Sequence, residues 1–249
     1  VHYGVTPPCT NKIIQKKIKK VFFSITDLDI RSANKAKKIL KRKKIKVFTN
    51  LNNKYAKDFY KSYFLNHKSG LPLIDAKIAI SKDYFTINKR KKWITNEHSR
   101  KRVHLLRTNY DCIVSTSKSI NDDNSELNCR LDGLKIKSPK VIIIDRFLKI
   151  KKNKKIFNSK KQIYIFTEKY VKSKYIFLKK KGVKIVKLNS MNKKDNYKNI
   201  FLKLKKKGNS GILVESGLTF LNFLLKIKLI NNLYVFKSNI NLKKEGFNY

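Results

Sequence analysis

Beyond residue 72 short apolar runs alternate with longer amphipathic stretches, and this order allows few architectures other than an α/β sheet with helices on its faces. Strands are expected at residues 73–81, 111–115, 141–145, 162–166, 183–188, 212–214 and 233–236. Helices are expected from the caps Thr95 or Asn96, with Glu97 in the first turn, through Arg107, and at 169–181 and 195–207. The segment GILVESGLTFLNF, residues 211–223, concentrates the most information. Its apolar run ends on Glu215, and Ser216-Gly217 opens a helix carrying Leu218, Phe220, Leu221, Leu224 and Leu225. Ligands collect at the carboxyl ends of strands in open α/β sheets, and a helix N-terminus attracts phosphate. The same residues also fit an ordinary βα turn with a helix-start acid.

The first seventy residues show a looser pattern. A loop through Pro8 leads to Thr10 as the cap of a helix through Ile13, Ile14 and Ile18. A strand is expected at 20–25, a helix at 32–43, a strand at 45–48 and one helix over 55–66, whose aromatics Tyr55, Phe59, Tyr63 and Phe64 read as core or interface packing. Ser69-Gly70-Leu71-Pro72 is the expected domain boundary. Residues 83–92 are charged and irregular, 115–125 form a polar loop suited to a sugar-phosphate or to a solvated turn, and 237–249 show no element. No internal repeat and no GxGxxG fingerprint occur.

Composition excludes more than it selects. A formal net charge of +45 normally points to nucleic acid. Here lysine spreads over nearly every segment among abundant Ile and Asn, which reads as drift of the whole chain and not as a selected basic patch. No specific nucleic-acid partner is therefore expected, although a basic nucleic-acid-binding protein on a degenerate enzyme fold is the competing reading, and a catalytically dead scaffold a third. The 3 cysteines, Cys9, Cys112 and Cys129, are too few and scattered for a disulfide framework, so a reducing, cytoplasmic setting is expected. No run reaches membrane-spanning length. Met191 is the only methionine, so Val1 is not a translation start and the sequence reads as part of a longer chain.

Two groups of motifs are more specific. His2-Tyr3-Gly4 with Thr6-Pro7-Pro8-Cys9-Thr10 resembles the zinc-binding tail of the deaminase domain in the bifunctional riboflavin-biosynthesis deaminase/reductase family. LPLIDAKIAIS, KWIT, LLR and SINDDNSELNCR within residues 71–130, then VIIID at 141–145 and ILVESGLTF, resemble the reductase domain of that family, in order along the chain. The resemblance implies a dihydrofolate-reductase-like α/β mixed sheet with flanking helices over residues 71–249, ending before the last strands of such reductases. A truncated cytidine-deaminase-like α/β segment over residues 1–70 would precede it. It implies an oxidoreductase, usually a homodimer, that uses NADPH to reduce 5-amino-6-(5-phosphoribosylamino)uracil by hydride delivery to C1′ of the ribosyl group. A full-length parent would also deaminate the preceding pyrimidinone phosphate with zinc. Cys9 is the one family zinc ligand left here, and a single thiolate cannot build such a site.

Carried over by position, Ala79, Trp93, Ser119, Asp123, Arg146 and the turn Gly217, Leu218, Thr219, Phe220, Leu221, Asn222, Phe223 would line the cofactor. Lys91, Arg107, Leu127, Arg130 and Glu215 would face the phosphorylated ribosylaminopyrimidine substrate. The chemistry of each is apt. Arg107 and Arg130 offer guanidinium forks for a 5′-phosphate. Glu215 offers acceptors for hydroxyls or the uracil edge, Trp93 a planar cover, and Gly217 close approach to backbone N–H groups. Departures from the family pattern include Leu28 after Asp27, Tyr84 in place of a glycine, Lys91 and Arg146 in place of serines, and Ser125 in place of a proline. Lys91 and Arg146 would favour phosphates, including the 2′-phosphate of NADPH. No residue stands out as an obligatory proton donor, and hydride transfer is expected to rest on orientation and electrostatics.

Overall fold

The computed structural model describes residues 6–29, 31–91, 93–159 and 161–248. The chain divides into two compact units after Gly70. Gly70 takes φ 70° at the end of a helix, a left-handed conformation that costs glycine little, and Pro72 shortly after cannot continue a helix.

The first unit carries α1 (Cys9–Gln15), β1 (Lys20–Phe23), α2 (Lys35–Arg42), β2 (Lys46–Thr49), α3 (Asn53–Phe59) and α4 (Lys61–Ser69). β1 and β2 pair in parallel, and Phe22 stacks on Phe48 with ring centroids 4.7 Å apart. The expected Thr10 cap is not made. Pro8 occupies that position, whose fixed φ suits a helix start, and Thr10 is buried inside α1, which stops before Ile18. The helix expected over 55–66 is two helices, parted at Tyr60, whose φ −90° and ψ 13° leave the helical region while the Phe59, Tyr60 and Tyr63 rings pack edge-on around the break. Tyr55 and Phe59 are 78% and 80% exposed, so neither belongs to this unit's core. His2-Tyr3-Gly4 lies outside the described residues.

The second unit is built on β3 (Leu73–Ile80), β4 (Ile87–Asn88), α5 (Glu97–Arg107), β5 (Cys112–Thr116), α6 (Ser117–Asp123), β6 (Lys140–Ile144), β7 (Ile163–Thr167), α7 (Lys172–Lys180), β8 (Lys184–Lys187), α8 (Lys194–Lys206), β9 (Gly211–Val214), α9 (Leu218–Lys226), β10 (Asn232–Lys237) and β11 (Gly246–Phe247). Seven strands form one sheet in the order β10-β3-β9-β5-β6-β7-β8, and every ladder in it is parallel. Among the described residues, antiparallel pairing of the kind a mixed sheet contains is confined to β4 with β11. Parallel strands need covered faces, and both are covered. Ile74, Ala76, Val114, Ile142, Ile212 and Val214 pack on one side with Phe201, Leu204, Leu221 and Leu224. Ile113, Val141, Ile143, Ile165 and Leu213 pack on the other with Tyr110, Ile120, Leu148 and Leu178.

Three expectations change here. Residues 115–125 hold a helix and not a polar loop: Thr116 Oγ1 accepts from the Ser119 N–H at 3.2 Å, and Ile120 is drawn wholly into the core. The irregular segment 83–92 contains β4, and the tail contains β11. Asp83 fastens the two, its oxygens accepting from the Leu242 and Lys243 N–H groups at 3.0 and 2.7 Å. Asn248 Oδ1 adds bonds from Thr86 N and Oγ1, and a Cβ on Gly246 would fall 2.1 Å from the Phe85 ring.

Candidate active site

The register of β3 and β9 pairs Ala76 with Val214, which sets Lys77 beside Glu215 at the carboxyl end of the sheet. Alternation places Asp75, Lys77, Leu213 and Glu215 on the face that α5 covers, where Tyr110 Oη donates to Asp75 Oδ2 at 2.7 Å. α5 begins at Asn96, whose Oδ1 accepts from Ser99 N at 2.9 Å, and it ends at Arg107. Arg107 reaches Glu215 with a two-pronged pair, Nε to Oε1 at 2.6 Å and Nη2 to Oε2 at 2.9 Å. The side chains are only 12% and 8% exposed, so this is an ion pair withdrawn from water. Its third donor, Nη1, reaches the Asn128 carbonyl at 2.7 Å.

Burial alone would raise the Glu215 carboxyl, but Arg107 and then Lys77 outweigh it and hold the group below the usual carboxylate range. Arg107 itself is raised, because Glu215 overcomes the burial that opposes its charge. Lys77, 3.9 Å from Glu215 Oε2, is lowered: burial dominates, Glu215 only partly compensates, and Asp123 contributes from farther away. Glu215 is thus firmly ionised, while Lys77 gives up its proton more readily than an ordinary lysine.

His104 completes this centre. Its Nδ1 lies 2.8 Å from the Asn128 carbonyl oxygen and 3.3 Å from the Arg130 N–H, and its Nε2 lies 3.3 and 3.2 Å from Arg130 Nε and Nη2, which can only donate, so Nε2 is the accepting nitrogen of the ring. Burial, then Arg107 and Arg130, lowers its pKa and keeps the ring neutral. Leu127 is buried with φ 51°, a left-handed turn that directs residues 128–130 across the site.

A second wall forms at the start of α9. Ser119 Oγ accepts the Gly217 N–H at 2.9 Å, and no side chain caps the helix, so its first-turn N–H groups face outward. Gly217 has φ −65°, so it is kept open by space and not by a special dihedral. Thr219 and Asn222 are exposed, whereas Leu221 is 2% exposed in the core and Phe220 and Phe223 pack around Tyr197. An uncapped helix start with a hydroxyl and a glycine beside it suits the phosphates of a dinucleotide.

The structure therefore brings together Arg107, Leu127, Arg130 and Glu215, and separately Ser119 with the 217–223 turn. Asp123, exposed at the end of α6, connects electrostatically with Lys77. Ala79 lies half-buried farther along β3. Trp93 is 49% exposed beneath the Arg100 guanidinium at 5.1 Å, and Lys91 is exposed. Arg146 bonds to Glu168 at 3.0 Å and lies over the Phe147 ring. Two expectations shift in emphasis: the Arg107 fork faces a carboxylate in place of a phosphate, and Arg146 has an acidic partner. Lys77 and His104 escaped notice in the sequence. The available signal for Lys77 was the pair Asp75 and Lys77 inside an otherwise apolar strand; for His104 there was none. Cys9 is exposed at the start of α1, and no group of three or more His, Cys, Asp or Glu that could hold a metal occurs among the described residues, which do not fit zinc by themselves.

Residues 72–239 match the family described as RibD C-terminal domain. The chain is 30% identical over 237 residues to the riboflavin biosynthesis protein RibD of Aquifex aeolicus, covering 94% of this chain and 65% of that protein. It is 32% identical over 151 residues to RibD of Bacillus amyloliquefaciens, covering 60% and 40%. The chain spans 40 to 65% of the length of the first curated relatives it matches. Among solved structures it resembles Acinetobacter baumannii RibD, with a TM-score of 0.80 at 24% identity over 100% of this chain and 68% of that one. It also resembles a diaminohydroxyphosphoribosylaminopyrimidine deaminase/5-amino-6-(5-phosphoribosylamino)uracil reductase of Thermotoga maritima, with a TM-score of 0.79 at 23% identity over 97% and 65%. At these identities the structural likeness establishes the fold.

Proposed function

The chain belongs to the RibD C-terminal domain family, and from that premise we propose that its second unit is the reductase of riboflavin biosynthesis. It would reduce 5-amino-6-(5-phosphoribosylamino)uracil to the ribityl product with NADPH. The observation that carries this reading is the buried Arg107–Glu215 pair with Lys77 beside it, next to an uncapped helix start suited to dinucleotide phosphates. NADPH, when bound, supplies the hydride. Ser119 and the first turn of α9 would hold its phosphates, with Asp123 and Trp93 on its flank.

The chain's own residues divide the remaining work. Glu215 spends two of its roughly four acceptor positions on Arg107 and keeps the others for substrate hydroxyls or the uracil edge. Arg107 acts as a positioning residue that fixes the carboxylate's plane. Lys77, with its depressed pKa, is the group we assign to hold and release a proton at the ribosyl oxygen as the sugar ring opens. Neutral His104 keeps Arg130 turned across the site. Arg146 would read the 2′-phosphate only by leaving Glu168.

The first unit we read as the tail of a deaminase domain. Zinc would bind only in a longer parent, with Cys9 as one ligand, and deaminase activity would belong to that parent. Lysines stand on helices, strands and loops alike, which favours the enzyme over a nucleic-acid partner. No helix among the described residues is long and apolar enough to cross a membrane, and a cytoplasmic homodimer is our reading of its setting. The test is NADPH oxidation at 340 nm by the purified chain with the ribosylaminouracil phosphate. We expect turnover dependent on both ligands; folded chain that binds neither would overturn the assignment.

A further inference from the structure

Lys77 lies on β3 and Glu215 just past β9, and from β9 the sheet continues through β5 and β6 to β7. A dinucleotide that brings its reactive ring to these two groups and rests its phosphates on the α9 start therefore carries its second nucleoside towards β6 and β7. Three strand spacings, about 14 Å, separate β9 from β7. Just past the ends of β6 and β7 stand Arg146 and Glu168. Tyr197 joins this corner to α9: its ring packs on Phe220 and Phe223, with centroids 5.9 and 4.7 Å away, and it lies within the fields of both Arg146 and Glu168.

A guanidinium and a carboxylate are the two alternatives for reading the 2′ position of a dinucleotide, the first for a phosphate and the second for a hydroxyl. Here they are bonded to each other. Arg146 Nε donates to Glu168 Oε2 at 3.0 Å, the guanidinium lies 4.8 Å over the Phe147 ring, and the Glu168 N–H donates to the Arg146 carbonyl at 3.0 Å. Glu168 Oε1 accepts the Met191 N–H, so the carboxylate is fixed from its other side as well. The pair is neutral. A 2′-phosphate arriving here meets a guanidinium already compensated and a carboxylate of its own sign, whereas a 2′-hydroxyl can donate to a carboxylate that keeps part of its roughly four acceptor positions. Lys149, a second cation on the Phe147 ring at 5.7 Å, is exposed, and water weakens its field. We propose that Glu168 sets the cofactor preference of this chain, cancelling the advantage of the 2′-phosphate so that NADH is accepted as readily as NADPH. This rests on the reductase reading for the presence of a nicotinamide dinucleotide and goes beyond it in the choice between the two.

The test is equilibrium binding of NADH and NADPH, followed by the fluorescence of the bound reduced nicotinamide, to the full chain, to Glu168→Gln and to Glu168→Gln combined with Arg146→Met. Glutamine keeps an acceptor for the Met191 N–H while removing the charge. The unchanged chain is expected to bind the two dinucleotides with Kd values within about threefold of each other. Glu168→Gln, which frees Arg146 for a 2′-phosphate, should shift the ratio towards NADPH by about 10-fold, and adding Arg146→Met should return it to near unity. Adenosine 2′,5′-bisphosphate and 5′-AMP, used as competitors, should repeat the same shift without the nicotinamide. An unaltered ratio in Glu168→Gln, or an unchanged chain that prefers NADPH by about 10-fold or more, would overturn this inference and leave the reductase reading standing. Folded chain that binds neither dinucleotide would overturn both. Circular-dichroism melts confirm that each variant is folded.

Discussion

The two faces of the seven-stranded sheet are made by the same strands, yet they differ in kind. One carries Ile74, Ala76, Val114, Ile142, Ile212 and Val214 against α8 and α9 and is apolar at its buried centre. The other is equally apolar over β5, β6 and β7, but at β3 and β9 it turns polar, with Asp75, Lys77 and Glu215 answered by Tyr110 and Arg107. The first face supplies cohesion at about 25 cal/mol per Å² of apolar surface buried. The second gives up part of that cohesion to hold ionised groups out of water, where their fields act at full strength. Stability and chemistry are thus assigned to opposite sides of shared strands, one residue apart in sequence.

Removing Glu215 should break the polar face most severely. Glu215→Leu leaves Arg107 and Lys77 buried without their carboxylate and is expected to cost about 3–5 kcal/mol in urea unfolding and to abolish turnover. Adding Arg107→Met should recover much of the stability and none of the turnover. If the single variant unfolds like the unchanged protein, the pair is not withdrawn from water. On the apolar face, Leu224→Ala should cost about 3 kcal/mol by the same measurement while turnover per folded molecule stays level. A large fall in its kcat would show that the faces are coupled.

The smallest effect is a slope with pH. Glu215 has a lowered folded pKa, so its contribution is present above the unfolded carboxylate range and is lost as pH falls through the folded value. His104 is lowered from 6.5, so the unfolded chain binds its proton first, and stability declines as pH drops below about 6.5. Unfolding midpoints should therefore fall towards acid, first gently and then steeply. His104→Gln should flatten the upper part of that decline, and an unchanged slope would remove His104 from the account.

The apolar face was legible in the sequence because buried strands and amphipathic helices leave periodic signals, and the seven sheet strands lie within a few residues of their expected positions. Local composition misled at α6, where a run rich in Ser, Asn and Asp becomes a helix because Thr116 caps it and Ile120 has a core to enter. β4 and β11 were invisible, since two residues each, paired across the length of the unit, carry no period. The site divided in the same way. Glu215 and the α9 turn announced themselves as strand, acid and glycine in a row. The contacts of Lys77 with Glu215 and of His104 with Arg130 depend on where strand registers and the Leu127 turn bring them, which no local pattern encodes.

The fastening of Asp83 to Leu242 and Lys243 bears on how the chain is made. Those partners stand 159 and 160 residues apart in sequence, and among the described residues β4 joins no strand but β11. Domains take shape from the N-terminal side as the ribosome delivers them. The loop that leads into Trp93 is therefore translated early and finished late, staying unclasped until residues 242–248 emerge. Capture of the nascent chain should find this loop open to protease until residues 242–248 have emerged.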